Sequence, residues 1–262
     1  MTDYDDIKAL NWSALKNMAV SPLLYKWRRG HPAEEKAAYA LGSAIHCAVL
    51  EPKEFSSRYL VFTGVRRGSA WDDWQADHPG VVSLKPAESE TVVAVVEAVL
   101  DHPAATKALR AGGRPEQTVL WHDPVAGLAC KARIDFLHTD RVVDLKTARD
   151  VSERKFARAV ADYLYHGQLA YYHDGAIAAG KIPADALPPQ IIAAQTGEPF
   201  DVVVYNLTAD ALKVGRVLYR SLIEKLLYCI EADHWPGLSE AELPLDVPPW
   251  APGNEIESED WE

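Results

Sequence analysis

Residues 130–147 read CKARIDFLHTDRVVDLKT, and this stretch decides the fold. Two apolar, β-rich runs within it are separated by a turn signal at Thr139-Asp140, which predicts two antiparallel neighbouring strands. Asp135 lies in the first run, and Asp144 and Lys146 lie two residues apart in the second. Side chains two apart in a strand project from one face, so Asp144 and Lys146 point the same way. The short turn also brings Asp135 close to Asp144.

The environment of these two carboxylates is apolar, because Ile134, Phe136, Val143 and Leu145 flank them. Acids among apolar residues carry a desolvation cost that demands a partner. A divalent cation would neutralise both acids and leave Lys146 free to face a water molecule or a phosphate. An Asp–Lys ion pair on a solvated strand face explains the same spacing, and the spacing alone leaves both interpretations open.

Outside this stretch the chain alternates between helical and strand patterns. Apolar periodicity predicts helices at 11–29, 34–50, 86–110, 152–180 and 208–232, with a break near Ser21-Pro22. Short β-rich runs predict strands at 116–122, 128–138, 141–147 and 200–206. Residues 53–80 are mixed in composition and are predicted to be loop-like. The order implies a mixed α/β fold, in which a central mixed β-sheet is flanked by helices.

Composition excludes several classes of protein. The chain has 262 residues, of which 48% are hydrophobic, and can bury a substantial core. No run approaches the roughly 18 apolar residues of a membrane span, and the polar start MTDYDDIKAL does not resemble a signal peptide. Cys47, Cys130 and Cys229 lie far apart without CxxC spacing, which argues against a disulfide scaffold or a structural zinc site. We therefore expect a cytoplasmic protein without a membrane partner.

The net charge of −11 is concentrated at one end of the chain. Ten acids and no Lys or Arg lie between Glu231 and Glu262, which leaves −1 for residues 1–230. Local basic clusters can still contact a phosphate backbone, because the field depends on local arrangement. Solvated surface charge is an equally good explanation of any one cluster. The candidate DNA-binding residues are Arg28 and Arg29 beside Lys26, Arg66 and Arg67, and Lys131 with Arg133.

The central stretch, with its D-x8-D-x-K spacing, resembles the core motif of the PD-(D/E)XK nuclease superfamily. Upstream, LGSAIH (41–46) resembles a G-x-x-x-H helix whose histidine ligates a metal, and Glu116 opens a strand where related nucleases often carry a glutamate. Downstream, HGQLAYY (166–172) resembles the Q-x-x-x-Y helix of the same group. The two outer motifs are weak singly, and their order around the central motif makes the resemblance specific. It implies a restriction-endonuclease-like core and, more narrowly, a RecB/RecE-like nuclease of the exodeoxyribonuclease VIII type.

The resemblance also implies roles for individual residues. The implied catalytic residues are Asp135, Asp144, Lys146, Glu116, Gln168 and Tyr172. The implied metal ligands are His46, Asp135, Asp144 and the Leu145 carbonyl, which suit one or two Mg²⁺ or Mn²⁺ ions. Without the other motifs, His46 is better explained as an ordinary helix histidine. Glu116 is equally well explained as a surface strand residue, and for Tyr172 simple packing is the alternative.

The implied function is metal-dependent hydrolysis of linear double-stranded DNA from 5′ ends, which leaves 3′ single strands for recombination by annealing. The implied partners are double-stranded DNA ends, a RecT-like single-strand annealing protein and further copies of the chain in a trimeric or tetrameric ring. Some RecB-type relatives hold an iron–sulfur cluster through four cysteines. The corresponding N-terminal position here is Ser21-Pro22, and no cysteine follows Cys229, so we expect no cluster.

Other functions stay open at this point. One is a single-strand-preferring nuclease of the same superfamily, of the CRISPR-adaptation type. Another is a non-catalytic DNA-binding or assembly protein that keeps the nuclease fold, and a third is an unrelated α/β protein with an accidental motif.

The predicted domain organisation is one exonuclease domain over 1–234, with an N-terminal helical decoration at 1–50 and a catalytic core at 86–232. An acidic tail with prolines and tryptophans follows at 235–262. Its composition is typical of a disordered, solubilising segment. The alternative is a segment that docks on a basic surface of a partner or of the assembly's own DNA channel.

Overall fold

The protein is described by a computed structural model that covers residues 4–31, 37–110, 112–248 and 250–251. The helices in chain order are α1 (Trp12–Leu15), α2 (Pro22–Gly30), α3 (Ala37–Leu50), α4 (Pro52–Arg58), α5 (Ser69–Asp77), α6 (Pro86–Asp101), α7 (Pro103–Arg110), α8 (Glu153–Asp162), α9 (Tyr165–Ala178) and α10 (Ala209–Ala232), with a 3-10 helix at Lys16–Ala19. The strands are β1 (Tyr59–Val61), β2 (Val82–Leu84), β3 (Arg114–His122), β4 (Ala129–Leu137), β5 (Val142–Ala148), β6 (Gln190–Gln195) and β7 (Val202–Asn206).

The main sheet has five strands in the order β3-β4-β5-β6-β7. Strand β5 pairs antiparallel with β4 and parallel with β6, and the other pairs are antiparallel. The parallel connection from β5 to β6 runs through α8 and α9, as a parallel pair requires a long crossover. The sheet is therefore mixed, and β5, which carries Asp144 and Lys146, lies at its centre.

Two hydrophobic cores cover the two faces of this sheet. Val142 contacts the core formed with α1, α8, α9 and α10, whereas Val143 contacts the core formed with α3, α6 and α7. Ile191 and Ile192 on β6 divide in the same way. Neighbouring residues alternate between faces because the strand period is two. A strand that is buried on both faces reads as a continuous apolar run, and this is the pattern of β5 and β6.

The predicted mixed α/β class is confirmed, and the strands predicted around residue 130 are present. The helical break at Ser21-Pro22 is also present, because the Ser21 hydroxyl accepts from Leu24 N (3.1 Å) and Pro22 opens α2. The first residues of the helix predicted at 34–50 lie outside the described residues, as do 252–262 of the tail.

Several local predictions are wrong. Residues 53–80 are not a loop, since they contain α5, β1 and most of α4, and β1 pairs parallel with β2. The helix predicted at 86–110 is two helices, because Pro103 opens a new one after His102. The helix predicted at 152–180 is also two, separated at Tyr163 and Leu164. Strand β6 was not predicted, because its short apolar run QIIAAQ has no alternation.

The beginning of the predicted tail packs against the folded body. The rings of Trp235 and Tyr25 are stacked with centroids 6.0 Å apart, and Leu23 N donates to the Pro236 carbonyl at 3.0 Å. Lys26 lies 3.5 Å from Asp233. The segment that starts at Trp235 is therefore held on α2, where stacking and a backbone hydrogen bond act together. Most residues from 238 to 248 are exposed and lack regular secondary structure.

Helices α9 and α10 approach each other closely at Gly215, where an added Cβ would overlap the backbone carbonyl of His166. That carbonyl cannot move without shifting α9. We expect Gly215→Ala to lower the free energy of unfolding by about 2–3 kcal/mol, although alanine is the better helix former. Urea unfolding measures this. Gly30→Ala is the control, because nothing lies within 4 Å of the Cβ position of Gly30; equal stability of the two variants would contradict the close approach.

Candidate active site

The two aspartates meet where β4 and β5 separate. The strands pair at Phe136↔Val143 and Leu137↔Val142, so Asp135 and Asp144 occupy the next facing positions. Backbone pairing between β4 and β5 stops before these positions. The backbone N–H of Leu145 donates instead to Asp135 Oδ2 at 2.8 Å. The Asp135 carboxylate thus replaces a strand partner for the β5 backbone. This separation makes room for side chains between two central strands.

The strand alternation also shifts at Asp135. Ile134 contacts one core, whereas Phe136, two residues further, contacts the other. Opposite Asp135 on β3, Glu116 has a φ of +49° and interrupts the β3–β4 pairing on either side of it. Such a backbone conformation costs free energy for a non-glycine residue, and strain of this kind is concentrated at functional sites. Glu116, Asp135 and Asp144 consequently lie in one row across three strands.

Asp144 is a buried carboxylate whose two oxygens have different surroundings. It is 1% exposed, and its Oδ1 accepts no hydrogen bond from the described residues. Its Oδ2 lies 2.5 Å from Lys146 Nζ, as a buried ion pair. Burial raises the pKa of Asp144 to about 6, with a further contribution from Asp135, against the opposing charge of Lys146. Burial raises the pKa of Asp135 as well, although Lys146 and the Leu145 N–H oppose the rise.

Lys146 is held as a cation between these acids and an aromatic ring. Burial by itself would lower the pKa of Lys146, but the charges of Asp144 and Asp135 outweigh it and raise that pKa above its ordinary value. Its ammonium also lies 4.8 Å from the centroid of the Tyr165 ring, within the range of a cation–π interaction. A fixed, protonated ammonium at this position is a donor for an anion or a water molecule.

His46 reaches the site from α3. Its Nδ1 lies 3.5 Å from Asp135 Oδ2, and its ring also hydrogen-bonds the backbone of Leu145. One turn earlier, Gly42 faces β5, where Thr147 Oγ1 lies 3.4 Å from the position of an added Cβ. Burial first, and then the charge of Lys146, lower the pKa of His46 to about 4. The imidazole is therefore neutral at pH 7, which is the form that binds a metal.

Gln168 and Tyr172 lie on α9 and face the same strand from the other side. Gln168 Nε2 donates to the Tyr172 hydroxyl at 3.1 Å, as residues four apart on a helix can. Burial raises the pKa of Tyr172 above its ordinary range, and the charges of Asp144 and Lys146 also act on it. The structure thus brings both residues of the predicted Q-x-x-x-Y motif to the aspartates and the lysine.

The residues present fit a divalent cation by their chemistry. They provide two buried carboxylates, a neutral imidazole and the Leu145 backbone, and Asp144 Oδ1 has no hydrogen-bond donor within the described residues. Hard oxygen ligands with one imidazole suit Mg²⁺ or Mn²⁺. Within the described ranges no three His, Cys, Asp or Glu side chains are already grouped as a closed ligand set.

The family model of a PDDEXK-like domain of unknown function (DUF3799) matches residues 7–242. The chain belongs to this family. No curated protein matches it. Membership of a PDDEXK-like family supports a nuclease, and the prediction of the PD-(D/E)XK superfamily is confirmed. The narrower RecE-like type stays a prediction.

A solved structure shows the same fold. The crystal structure of a candidate exonuclease from Eubacterium rectale has 15% sequence identity to this PDDEXK-like chain and a TM-score of 0.65, and the match covers 95% of this chain and 96% of that one. The crystal structure of SSO0001 is 14% identical with a TM-score of 0.31, over 79% of this chain and 98% of that one. None of the helices in the described part of this PDDEXK-like chain has the length and apolar character to span a membrane.

The candidate DNA-binding residues are placed in different surroundings. Lys131 is 4% exposed, and its ammonium donates to the Tyr4 carbonyl at 2.6 Å, so it is engaged by the N-terminal segment. Arg133 lies over the same Tyr4 ring. Arg66 donates to the Ser83 carbonyl and to Glu88, an arrangement that links β2 to α6.

The remaining basic candidates are closer to ordinary surface residues. Arg28 on α2 stacks on Trp27, with its guanidinium carbon 4.9 Å from the ring centroid. Arg29, next to it, is held near the Tyr25 hydroxyl. Arg67 lies in the segment between β1 and α5 and is exposed. The structure does not gather the predicted basic residues into one patch with the aspartates.

Three groups near the site were missed by the sequence interpretation. Lys16, on the 3-10 helix, has its pKa lowered by burial and then by the charge of Lys146. Tyr165 supplies the ring beside Lys146, and the Glu51–Arg58 ion pair (2.7 Å) acts on Glu116. No motif marks these positions, because they reach the site through packing of helices that are distant in sequence.

The raised pKa of Glu116 predicts how the stability of the metal-free PDDEXK-like protein depends on pH. Burial, followed by the charges of Asp135 and Glu51, raises this pKa from an ordinary 4.5 to about 7. The folded state therefore holds this proton more tightly than the unfolded state, and its stabilisation is lost as the pH rises from 4.5 through 7. We expect Glu116→Gln to remove part of that loss.

Thermal unfolding in EDTA across this pH range measures the effect, with Glu97→Gln, an exposed residue of α6, as the matched control. Parallel pH profiles of wild type and Glu116→Gln would contradict the prediction, because they would show that ionisation of Glu116 does not destabilise the folded protein.

Proposed function

We propose that this chain is a metal-dependent exodeoxyribonuclease that hydrolyses phosphodiester bonds of linear double-stranded DNA. One observation carries the proposal: a PDDEXK-like chain keeps Asp144 buried with its Oδ1 lacking a hydrogen-bond donor among the described residues, beside Asp135, Lys146 and a neutral His46. A non-catalytic protein would gain stability by replacing such a carboxylate, because a buried charge is costly unless it is fully paired.

Asp135, Asp144, His46 and the Leu145 carbonyl would hold the cation. When bound, a divalent ion supplies Lewis-acid stabilisation of a phosphate and lowers the pKa of a water ligand. Asp135 has a second task, since its Oδ2 accepts from Leu145 N and so fixes the β5 backbone beside Asp144. Glu116 faces Asp135 across the strand pair and could serve a second ion.

Lys146 orients the attacking water and offsets the negative charge that develops on the phosphate. Its raised pKa means that it keeps its proton at neutral pH, which favours a role as donor and fixed cation over a role as general base. Tyr165 limits the position of the ammonium from one side and Asp144 from the other. Gln168 and Tyr172 form a hydrogen-bonded pair that can contact the substrate backbone.

The direction and partners belong to the proposal as well. We propose digestion from 5′ ends to leave 3′ single strands for annealing, a RecT-like annealing protein as partner and a ring of three or four copies. The support is the resemblance of the motif order and of the LGSAIH context to exodeoxyribonuclease VIII enzymes. Val214 and Val217, exposed apolar residues on α10, offer a surface for contacts between copies.

The deciding experiment is digestion of end-labelled linear duplex DNA beside a closed circle of the same sequence. We expect the linear DNA to be degraded with Mg²⁺ or Mn²⁺, the circle to persist and EDTA to stop the reaction. Release of a 5′ label before a 3′ label supports the direction. Rapid loss of the circle would show an endonuclease, preference for a single-stranded oligonucleotide would favour the single-strand alternative, and no metal-dependent digestion would overturn the function.

A further inference from the structure

A stacked pair of tyrosines lies at the junction between α8 and α9, beside the site. The rings of Tyr163 and Tyr165 have centroids 5.6 Å apart and planes inclined by 28°. The Tyr165 ring also lies 4.8 Å from Lys146 Nζ. The pair therefore runs from the lysine of the site to the surface, where Tyr163 is 64% exposed.

The backbone between the two tyrosines is strained. Leu164 has φ 58° and ψ 34°, the left-handed conformation that bulky residues rarely adopt. Its side chain packs against the core next to α9. Leu164 is half-buried, and the two flanking rings stack on each other. Strain of this kind persists where the surrounding structure maintains it, and it is concentrated at sites that bind ligands.

We propose that Tyr163 and Tyr165 form a stacking site for an unpaired nucleobase of the DNA strand whose phosphate lies at Lys146. The proposal rests on the proposed function and deepens it by adding a base-binding site that the catalytic motif does not contain. Aromatic rings stack on every base, so such a site holds the strand without reading its sequence.

The electrostatic surroundings are compatible with an anionic strand. The neighbouring acid Asp162 is paired with Arg158, whose Nε lies 3.6 Å away, so this turn of α8 adds little net negative charge. Lys16 lies close enough to Lys146 for their charges to interact. The exposed ring of Tyr163 stacks on a ring that lies beside the Lys146 ammonium. Single-stranded nucleic acids bind to such arrangements, because stacking and phosphate contacts act together.

A protein side chain could also stack on Tyr163, and the continuity of the pair with Lys146 is the reason to prefer a base. A docked protein at this position would cover the lysine that must face the phosphate. The nucleotide beside a hydrolysed phosphate, by contrast, has to place its base within reach of the same surface.

Fluorescence of a single-stranded oligonucleotide with 2-aminopurine at its 5′ end tests the proposal, with Ca²⁺ in place of Mg²⁺ to prevent digestion. We expect Tyr163→Ala to weaken binding about tenfold and to lose the quenching of the probe, since one stacked base contributes on this scale. Tyr163→Phe keeps the ring and should bind like wild type. Tyr228→Ala is the matched control, because Tyr228 on α10 is 66% exposed. In turnover experiments with Mg²⁺ the loss in Tyr163→Ala should appear mainly in KM.

Each variant is first checked by thermal unfolding, and Tyr163→Leu provides a second variant that keeps the bulk without the ring. The base-binding site would be overturned if Tyr163→Ala had the same affinity and quenching as Tyr228→Ala. Digestion of DNA by the wild type would in that case leave the proposed function intact. Equal losses in Tyr163→Phe and Tyr163→Ala would also overturn it, since the hydroxyl and not the ring would then bind. If the wild-type protein neither bound nor digested DNA, both the proposed function and the base-binding site would be contradicted.

Discussion

Replacing Asp144 by asparagine is expected to reduce phosphodiester hydrolysis by about a thousandfold or more, because a bound metal contributes several kcal/mol to such a reaction. Asparagine keeps the shape of the side chain and removes the charge that the cation needs. Initial rates on end-labelled linear duplex with Mg²⁺ measure the effect. Asp185→Asn, at an exposed position before β6, is the control and should keep wild-type rates.

The same substitution should leave the metal-free protein at least as stable as wild type at pH 7. The pKa of Asp144 rises from an ordinary 3.8 to about 6 on folding, so its charged form is disfavoured in the folded state. Its stabilisation is fully present below pH 3.8 and is lost as the pH rises through 6. Melting temperatures in EDTA should therefore fall less steeply with pH in Asp144→Asn. Addition of Mn²⁺ should raise the melting temperature of wild type but not of the variant; equal metal stabilisation of both would contradict a ligand role for Asp144.

Lys146→Ala is expected to have a similar effect on turnover and the opposite effect on stability. The ammonium is 2.5 Å from Asp144 Oδ2, and its removal leaves two buried acids without a cation. We expect a loss of about a thousandfold in rate, in the range of proton-transfer and electrostatic contributions. The metal-free variant should lose about 3 kcal/mol of unfolding free energy at pH 7, as when one partner of a buried pair is deleted.

This loss should decrease as the pH falls towards 6, because without the lysine the pKa of Asp144 lies above its wild-type value of about 6, and protonation removes the uncompensated charge. A divalent cation should restore stability without restoring turnover. Lys155→Ala, an exposed lysine on α8, is the control for both measurements. Near-normal digestion by Lys146→Ala would show that the lysine neither orients the water nor offsets charge on the phosphate.

The sequence predicted the parts of the site that depend on local geometry. The two-residue spacing of Asp144 and Lys146 puts both on one strand face whatever surrounds them. The turn at Thr139-Asp140 pairs their strand with that of Asp135, and the observed register faces Asp135 with Asp144. The order of the short motifs also predicted the superfamily, and the family model that matches residues 7–242 confirms it. The roles of these residues in catalysis and metal binding stay predictions.

Other features could not be predicted, because they depend on contacts between residues far apart in the chain. The insertion of β6 beside β5 makes β5 a central strand, and this burial, rather than the identity of Asp144, raises its pKa. Lys131 reads as a surface cation in sequence, yet the N-terminal segment folds over it. The sequence predicts that Trp235 belongs to a solvated tail, yet its ring stacks on Tyr25 of α2.

The sequence by itself therefore determined which chemical groups lie on one strand pair, since a period of two residues and a tight turn are enough for that. The tertiary structure alone decided the environment of those groups: the burial of Asp144, the neutral state of His46 and the nearby rings of Tyr165 and Tyr172. The physical reason is that desolvation depends on everything packed around a charge. That packing comes from α3 and α9, which lie outside the central motif.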